Sequence, residues 1–283
     1  MPDIPIVDTH LHVWDPALIS YPWLEENALL NRAYLLDDYR QAFAGTEVEA
    51  MVFVQCEASF DAFLAEADWV AGLAHEEPRI RALVAWAPLE KGAAVEDFLL
   101  QLKRHAILRG VRRIIQFEDD MDFCLRPDFI EGVRALSRHG LSFDICVDYR
   151  QMAKVLRFVE RVPDVSLILD HIGKPDIRNG QIEPWASQMR ELARFPNVDC
   201  KISGLATEAS PDWSPGDLLP FLDVAFGAFG FGRTMFGGDW PVTLQAVEPS
   251  RWIALLDEYL APASAHERHA FWRGNARKVY RIS

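Results

Sequence analysis

The 283-residue sequence is poor in cysteine, and its four, Cys56, Cys124, Cys146 and Cys200, stand far apart with no C-x-x-C spacing. That pattern supports neither a disulfide framework nor a structural zinc site, and it favours a reducing, cytoplasmic setting. No apolar run approaches the ~20 residues of a membrane span, and the first residues carry neither a basic n-region nor an apolar h-region. Positive charge is also scarce: 29 Lys and Arg oppose 42 Asp and Glu, a formal charge of −13. A surface of that sign repels phosphate backbones and anionic lipid, so neither nucleic acid nor membrane is an expected partner. There is no G-x-S-x-G, no P-loop and no G-x-G-x-x-G followed by an acidic residue. Serine-hydrolase, phosphate-cradling and dinucleotide functions therefore have no motif, and no organic cofactor is expected. Small-molecule chemistry remains.

What is present is apolar residues, 50% of the chain, in a recurring form. Eight short β-rich runs cover Ile4 to Leu11, Ala50 to Cys56, Ile80 to Ala87, Gly110 to Gln116, Leu141 to Val147, Val165 to Ile172, Val198 to Ser203 and Thr234 to Trp240. Most are continuous rather than alternating, as parallel strands buried on both faces require. Helix-period stretches separate them: Phe60 to Glu76, Ala94 to His105, Pro127 to His139, Tyr149 to Val162, Glu183 to Phe195, Pro215 to Phe226 and Pro249 to Tyr259. Eight strand–helix units without a linker predict an α/β protein, a single-domain (β/α)8 TIM barrel over residues 1–283. The strand-free interval Val13 to Glu49, with Trp14, Tyr21, Pro22 and Trp23, reads either as a cover over the barrel mouth or as a packed connector. Trp213, among Pro211, Pro215 and Gly216, suggests a rigid loop after the seventh strand.

In such a barrel the chemistry sits at the C-terminal strand ends. The first run finishes Asp8-Thr9-His10-Leu11-His12, where His10 and His12 share one face, able to grip a metal or a substrate carbonyl. The sixth closes on His171 before Gly173 and Pro175, and the eighth offers Gly237-Gly238-Asp239-Trp240, two glycines permitting close approach beside a carboxylate. Gln55 and Glu57, Trp86, Arg112, Arg113 and Gln116, and Lys201 finish other strands, and Asp144 and Asp148 close the fifth, which has no histidine. Of the adjacent arginines only one can point inward, and Arg112 is preferred; for Arg112 and Lys201 a structural ion pair is the alternative to a binding role. His75, His105, His139, His266 and His269 lie in helices or at their ends, where solvated or capping histidines are usual.

Val-Asp-Thr-His-Leu-His, Leu-Asp-His-Ile-Gly-Lys-Pro, Phe-Gly-Gly-Asp-Trp-Pro and Trp-Arg-Gly-Asn-Ala-Arg-Lys-Val-Tyr, in order across residues 4 to 280, resemble the amidohydrolase superfamily. The combination is most similar to its sugar-lactonase branch, fuconolactonase-like and rhamnonolactonase-like, which also includes pyrone-dicarboxylate lactonase. The resemblance implies that Asp239 activates water and that His10, His12 and His171 complete the catalytic group. It implies a lactone of a sugar acid as substrate, as in L-fucose catabolism. Among the strand-end residues, Gln55, Trp86 and Arg112, supported by Trp240, are expected to contact its hydroxyls or stack on its face, and Lys201, His10, His12 or a bound cation to stabilise the oxyanion. One divalent ion, zinc by preference, would be held by His10, His12 and Asp239, and the branch is understood not to require it strictly. Without a strand-five histidine or a carboxylatable strand-four lysine, a two-metal centre is not expected. The rivals are a metal-dependent decarboxylase or hydratase of an aromatic or unsaturated acid and a non-catalytic metabolite-binding barrel. Oligomeric state is not legible.

Overall fold

Strands form where apolar, mostly branched residues predominate, with few charges among them. They are β1 (Ile6–Leu11), β2 (Val48–Val54), β3 (Ile80–Ala85), β4 (Leu108–Arg112), β5 (Ser142–Ile145), β6 (Leu167–Leu169), β7 (Val198–Ile202) and β8 (Thr234–Phe236). In the computed structural model, which describes residues 2–282, they pair in parallel in chain order from β1 to β8. β8 closes on β1 through a Leu11–Trp240 bridge, with Asp239 N donating to His10 O at 2.8 Å and His12 N to Trp240 O at 2.8 Å. Each strand is followed by a helix: α1 (Leu36–Ala42), α2 (Phe63–Glu76), α3 (Glu96–Leu102), α4 (Pro127–Arg138), α5 (Met152–Val159), α6 (Trp185–Leu192), α7 (Pro215–Phe229) and α8 (Pro249–Tyr259). This is the expected (β/α)8 barrel, extended by α9 (Ala265–His269) and α10 (Asn275–Tyr280).

The helices start where local chemistry starts them. Pro127, Pro215 and Pro249 occupy first-turn positions, where the missing N–H is harmless, and Ser214 with Asp217 forms a capping box at α7. Along α4 the buried residues Phe129, Ile130, Val133 and Leu136 recur at helical spacing and face the sheet.

The core lies in two shells. The larger fills the space between sheet and helices; the smaller joins Val7, Val52, Val54, Ala82, Val84, Ile168 and Met235 inside the barrel to Ala276, Tyr280 and Ile282 of the C-terminal segment. α10 therefore plugs the lower end of the barrel, leaving the upper end for a site.

Several strands stop earlier than the apolar runs predict. The runs reach Cys56, Ala87, Gln116, Ile172 and Trp240, whereas the strands end at Val54, Ala85, Arg112, Leu169 and Phe236. After β2, β6 and β8 the backbone turns into the left-handed region: Glu57, His171, Ile172, Lys174 and Asp239 all have φ between 46° and 54°, outside the strand range. His171 thus sits in a 3-10 turn, Asp170–Gly173, rather than at the end of the sixth strand. α1 is an addition within the interval expected to be strand-free, and Trp14 and Tyr34 exchange backbone hydrogen bonds of 3.0 and 2.9 Å there.

Candidate active site

β1 carries its histidines inward by breaking its own alternation. Val7 belongs to the inner shell and Asp8 points out to Tyr39 of α1, so strict alternation would turn His10 outward as well. A register irregularity between Asp8 and Leu11 re-aims the strand end. Asp8 locks this arrangement, accepting from Gly238 N at 2.7 Å, His10 N at 3.0 Å and Tyr39 Oη at 3.0 Å. Only glycine fits at 238, because a Cβ there would lie 2.6 Å from Asp8 Oδ2.

Around Asp239 the structure gathers His10, His12 and His171, all buried. Asp239 Oδ1 lies 3.7 Å from His10 Nε2 and 3.6 Å from His12 Nε2, and its Oδ2 lies 4.0 Å from His171 Nδ1. His171 Nδ1 also meets Ser203 Oγ at 2.9 Å. Behind this group Gly204, at φ +68°, passes so close that a Cβ would stand 2.7 Å from His171 Nδ1. Burial pushes the imidazoles down, His171 to about 4, so they are neutral near pH 7. Burial pushes the Asp239 carboxyl up, but the surrounding His171, His12 and His10 outweigh it and hold the group well below the usual carboxylate range. The site thus combines an ionised carboxylate with neutral imidazoles.

Beneath it lies a buried ionic floor. Lys201 reaches Asp144 Oδ2 at 2.7 Å and Asp170 Oδ1 at 3.0 Å, while Tyr280 Oη donates to the same Asp144 oxygen at 2.9 Å. Arg112 donates from Nη2 to Gln55 O at 2.6 Å, and its Nη1 lies 3.1 Å from His10 Nε2 and 3.4 Å from Asp170 Oδ2. Although burial alone opposes charge on each, Lys201, His10 and Arg112 around Asp170 keep it ionised, and its carboxylate with that of Asp144 raises Lys201. Both cations point inward, which strand parity alone left open.

Above the floor opens a cavity of about 600 Å³, lined among others by His12, Trp14, Trp23, Glu57, Arg112, Gln116, His171, Lys174, Glu208 and Asp239. Its size suits a small polar metabolite. Trp14, Pro22 and Trp23 make the interval after β1 a wall of this cavity.

Four expected substrate contacts are placed elsewhere. Trp86 packs against Phe60 and Phe63, and Trp240 packs against Tyr34 and Tyr39, because the turn at Asp239 faces the carboxylate inward and the indole outward. Gln55 and Lys201 are fully buried beneath the cavity and act on other side chains. Trp213 is likewise buried, under Arg251. Asp170, Ser203, Lys174 and Glu208 join the site without standing out in the sequence; only Asp170, a carboxylate inside an apolar run, carries a signal. Burial raises the thiols of Cys56 and Cys146, the latter to about 11, which leaves neither a ready nucleophile.

The donor set fits one divalent ion. His12 Nδ1 lies 2.8 Å from Val54 O and so carries the proton, leaving the Nε2 lone pair facing the Asp239 carboxylate. His10, His12 and Asp239 thus form a buried cluster whose ligand atoms are close enough to hold one ion, with the Arg112 guanidinium 3.1 Å from His10 Nε2 as its neighbour. A second cluster, His10, Asp170 and His171, already has the Lys201 ammonium on its carboxylate.

The chain resembles known proteins over nearly its whole length. L-fucono-1,5-lactonase of Burkholderia multivorans is 36% identical over 293 residues, with 98% of this chain and 96% of that protein covered. L-rhamnono-gamma-lactonase of Scheffersomyces stipitis is 24% identical, with 98% of each covered. The crystal structure of an amidohydrolase from Burkholderia multivorans with bound zinc superposes with a TM-score of 0.88 at 34% identity, covering 99% of this chain and 100% of that one. The amidohydrolase family model matches residues 7–282, from the first strand to the last described residue, and the chain belongs to that family.

Proposed function

We propose that the protein hydrolyses the lactone of a sugar acid, an L-fuconolactone or a close relative, to the open hydroxy acid. The observation that carries this reading is the ionised Asp239 carboxylate among three neutral imidazoles at the floor of a cavity of sugar size. The 36% identity to an L-fucono-1,5-lactonase over nearly the full chain supports the substrate class.

Asp239 takes a proton from water as the oxygen attacks the ring carbonyl. His171, braced by Ser203, orients that water. The carbonyl oxygen becomes an oxyanion, which the Arg112 guanidinium stabilises from the cavity wall, where little water competes. Collapse of the tetrahedral carbon breaks the ring C–O bond, and protonated Asp239 returns its proton to the leaving ring oxygen. A divalent ion held by His10, His12 and Asp239, zinc by preference, would supply Lewis acidity at the same place. A lactone is an activated ester, so its opening asks less of the site than amide hydrolysis does.

β5 contributes Asp144, engaged with Lys201, and no histidine, which favours the lactonase over a metal-dependent decarboxylase. Four unpaired, buried cysteines and the acidic composition support a cytoplasmic role in sugar-acid metabolism, L-fucose catabolism being the pathway the relatives suggest. The test is acid release from a panel of sugar 1,4- and 1,5-lactones, on metal-stripped protein and again with zinc. Release from either form supports the reading; silence across the panel in both forms overturns it.

A further inference from the structure

We propose that Glu57 selects a polyhydroxylated, uncharged lactone, its carboxylate accepting hydrogen bonds from adjacent ring hydroxyls. The inference rests on the lactonase reading and extends it to the end of the substrate remote from the carbonyl.

Glu57 follows β2 and lines the cavity with its backbone at φ +54°, a conformation that glycine adopts freely and glutamate does not. Strain of this kind persists only where the surroundings over-determine it. They do so here: Trp23 Nε1 donates to Cys56 O at 2.7 Å, Cys56 N to Glu66 Oε1 at 3.1 Å and Arg112 Nη2 to Gln55 O at 2.6 Å. None of these three bonds uses the Glu57 side chain, which joins the turn only through Gln55.

The side chain is held for another purpose. Fully buried Gln55 donates from Nε2 to Glu57 Oε1 at 2.7 Å and accepts the Glu57 N–H at 2.5 Å. One carboxylate oxygen is anchored, and no cation lies within 4.0 Å of the group among the described residues. The cations of the cavity wall stand beside other carboxylates, Arg112 at 3.4 Å from Asp170 and Lys174 at 4.0 Å from Glu208. Glu57, Glu208 and Asp239 thus give the wall three carboxylates against two cations, Arg112 and Lys174. An anionic ligand is repelled there, whereas hydroxyls supply the donors that an anchored carboxylate accepts.

The experiment compares wild type, Glu57→Gln and Glu57→Gly on a polyhydroxylated six-membered lactone and on unsubstituted δ-valerolactone. Calorimetric binding of the matching polyhydroxylated lactam, which resists hydrolysis, and thermal melting accompany it. We expect KM for the hydroxylated lactone, and Kd for the lactam, to rise about tenfold or more in both variants. kcat should change less than about threefold, and δ-valerolactone kinetics should not move. Glu57→Gly relieves the backbone strain but leaves the buried Gln55 amide without its acceptor, so its melting temperature serves only to show that the variant is folded during the assays. Equal losses on both lactones or unchanged lactam binding would each overturn the inference, the first by showing a merely structural role. If wild type opens neither lactone yet binds the lactam through Glu57, the lactonase reading fails and the selectivity stands.

Discussion

Lys201 and Asp144 meet at 2.7 Å inside the barrel, both without exposure to solvent. The ammonium also reaches Asp170 at 3.0 Å, so one side chain of β7 ties β5 to the turn after β6. It lies 3.3 Å from His10 Nδ1, which makes it the floor on which the active-site imidazole rests.

Removing that cation leaves two buried carboxylates without their main counter-charge. Lys201→Met should destabilise the protein by about 3–5 kcal/mol, the cost of breaking a buried pair. Adding Asp144→Asn should recover part of the loss, and guanidinium denaturation of the single and double variants measures both. A Lys201→Met protein as stable as wild type would mean that the floor is not held by charge.

Asp239→Asn keeps the volume and removes the base. kcat on the responsive lactone should fall by about 10²–10⁴-fold, the usual contribution of a positioned general base. Binding of the hydroxylated lactam should persist, since an amide still fits between the imidazoles. Undiminished turnover would transfer the base role to another group.

Gly204 touches the catalytic pair directly. Gly204→Ala places a methyl 2.7 Å from His171 Nδ1 and 3.2 Å from Asp239 Oδ2, on a backbone of φ +68° that alanine resists. Loss of kcat well beyond the loss of stability, about 1–3 kcal/mol for the strained residue, is the expected result, read from kinetics beside a melting curve. A folded, fully active variant would show that the His171 position has slack.

Glu66 sets a pH dependence. Burial raises its carboxyl from 4.5 to about 7, only partly offset by the Cys56 N–H. Between those values the folded state binds more protons than the unfolded one, so this contribution is present below about pH 4.5 and is lost as pH rises through about 7. Glu66→Gln should therefore gain stability relative to wild type at pH 8, by up to about 3 kcal/mol, and little at pH 5. Denaturation at the two pH values checks this; an equal effect at both would remove the titration from the account.

How much was legible in the sequence differs from element to element. The eight apolar runs marked all eight strands because a strand buried on both faces needs apolar residues wherever it stands. His10, His12, His171 and Asp239 stood out because polar groups that end such runs need a partner or a purpose. Trp86 and Trp240 were misplaced because aromatic side chains serve a packed shell as well as a cavity, and composition does not separate the two.

The strand–helix alternation, the barrel and the identity of the polar residues at its mouth can be read from consecutive residues, since burial on both faces of a strand is a local pattern. The direction in which those residues face comes from contacts across the barrel. Alternation from Val7 would turn His10 outward, and the irregularity after Asp8 reverses it. That irregularity is held by Gly238 and Tyr39, 230 and 31 residues away in sequence. The pairing of Lys201 with Asp144 and Asp170, and the anchoring of Glu57 by Gln55 in a left-handed turn, arise the same way. Each depends on distances across the closed barrel or on a turn its neighbours impose, and no local pattern encodes those.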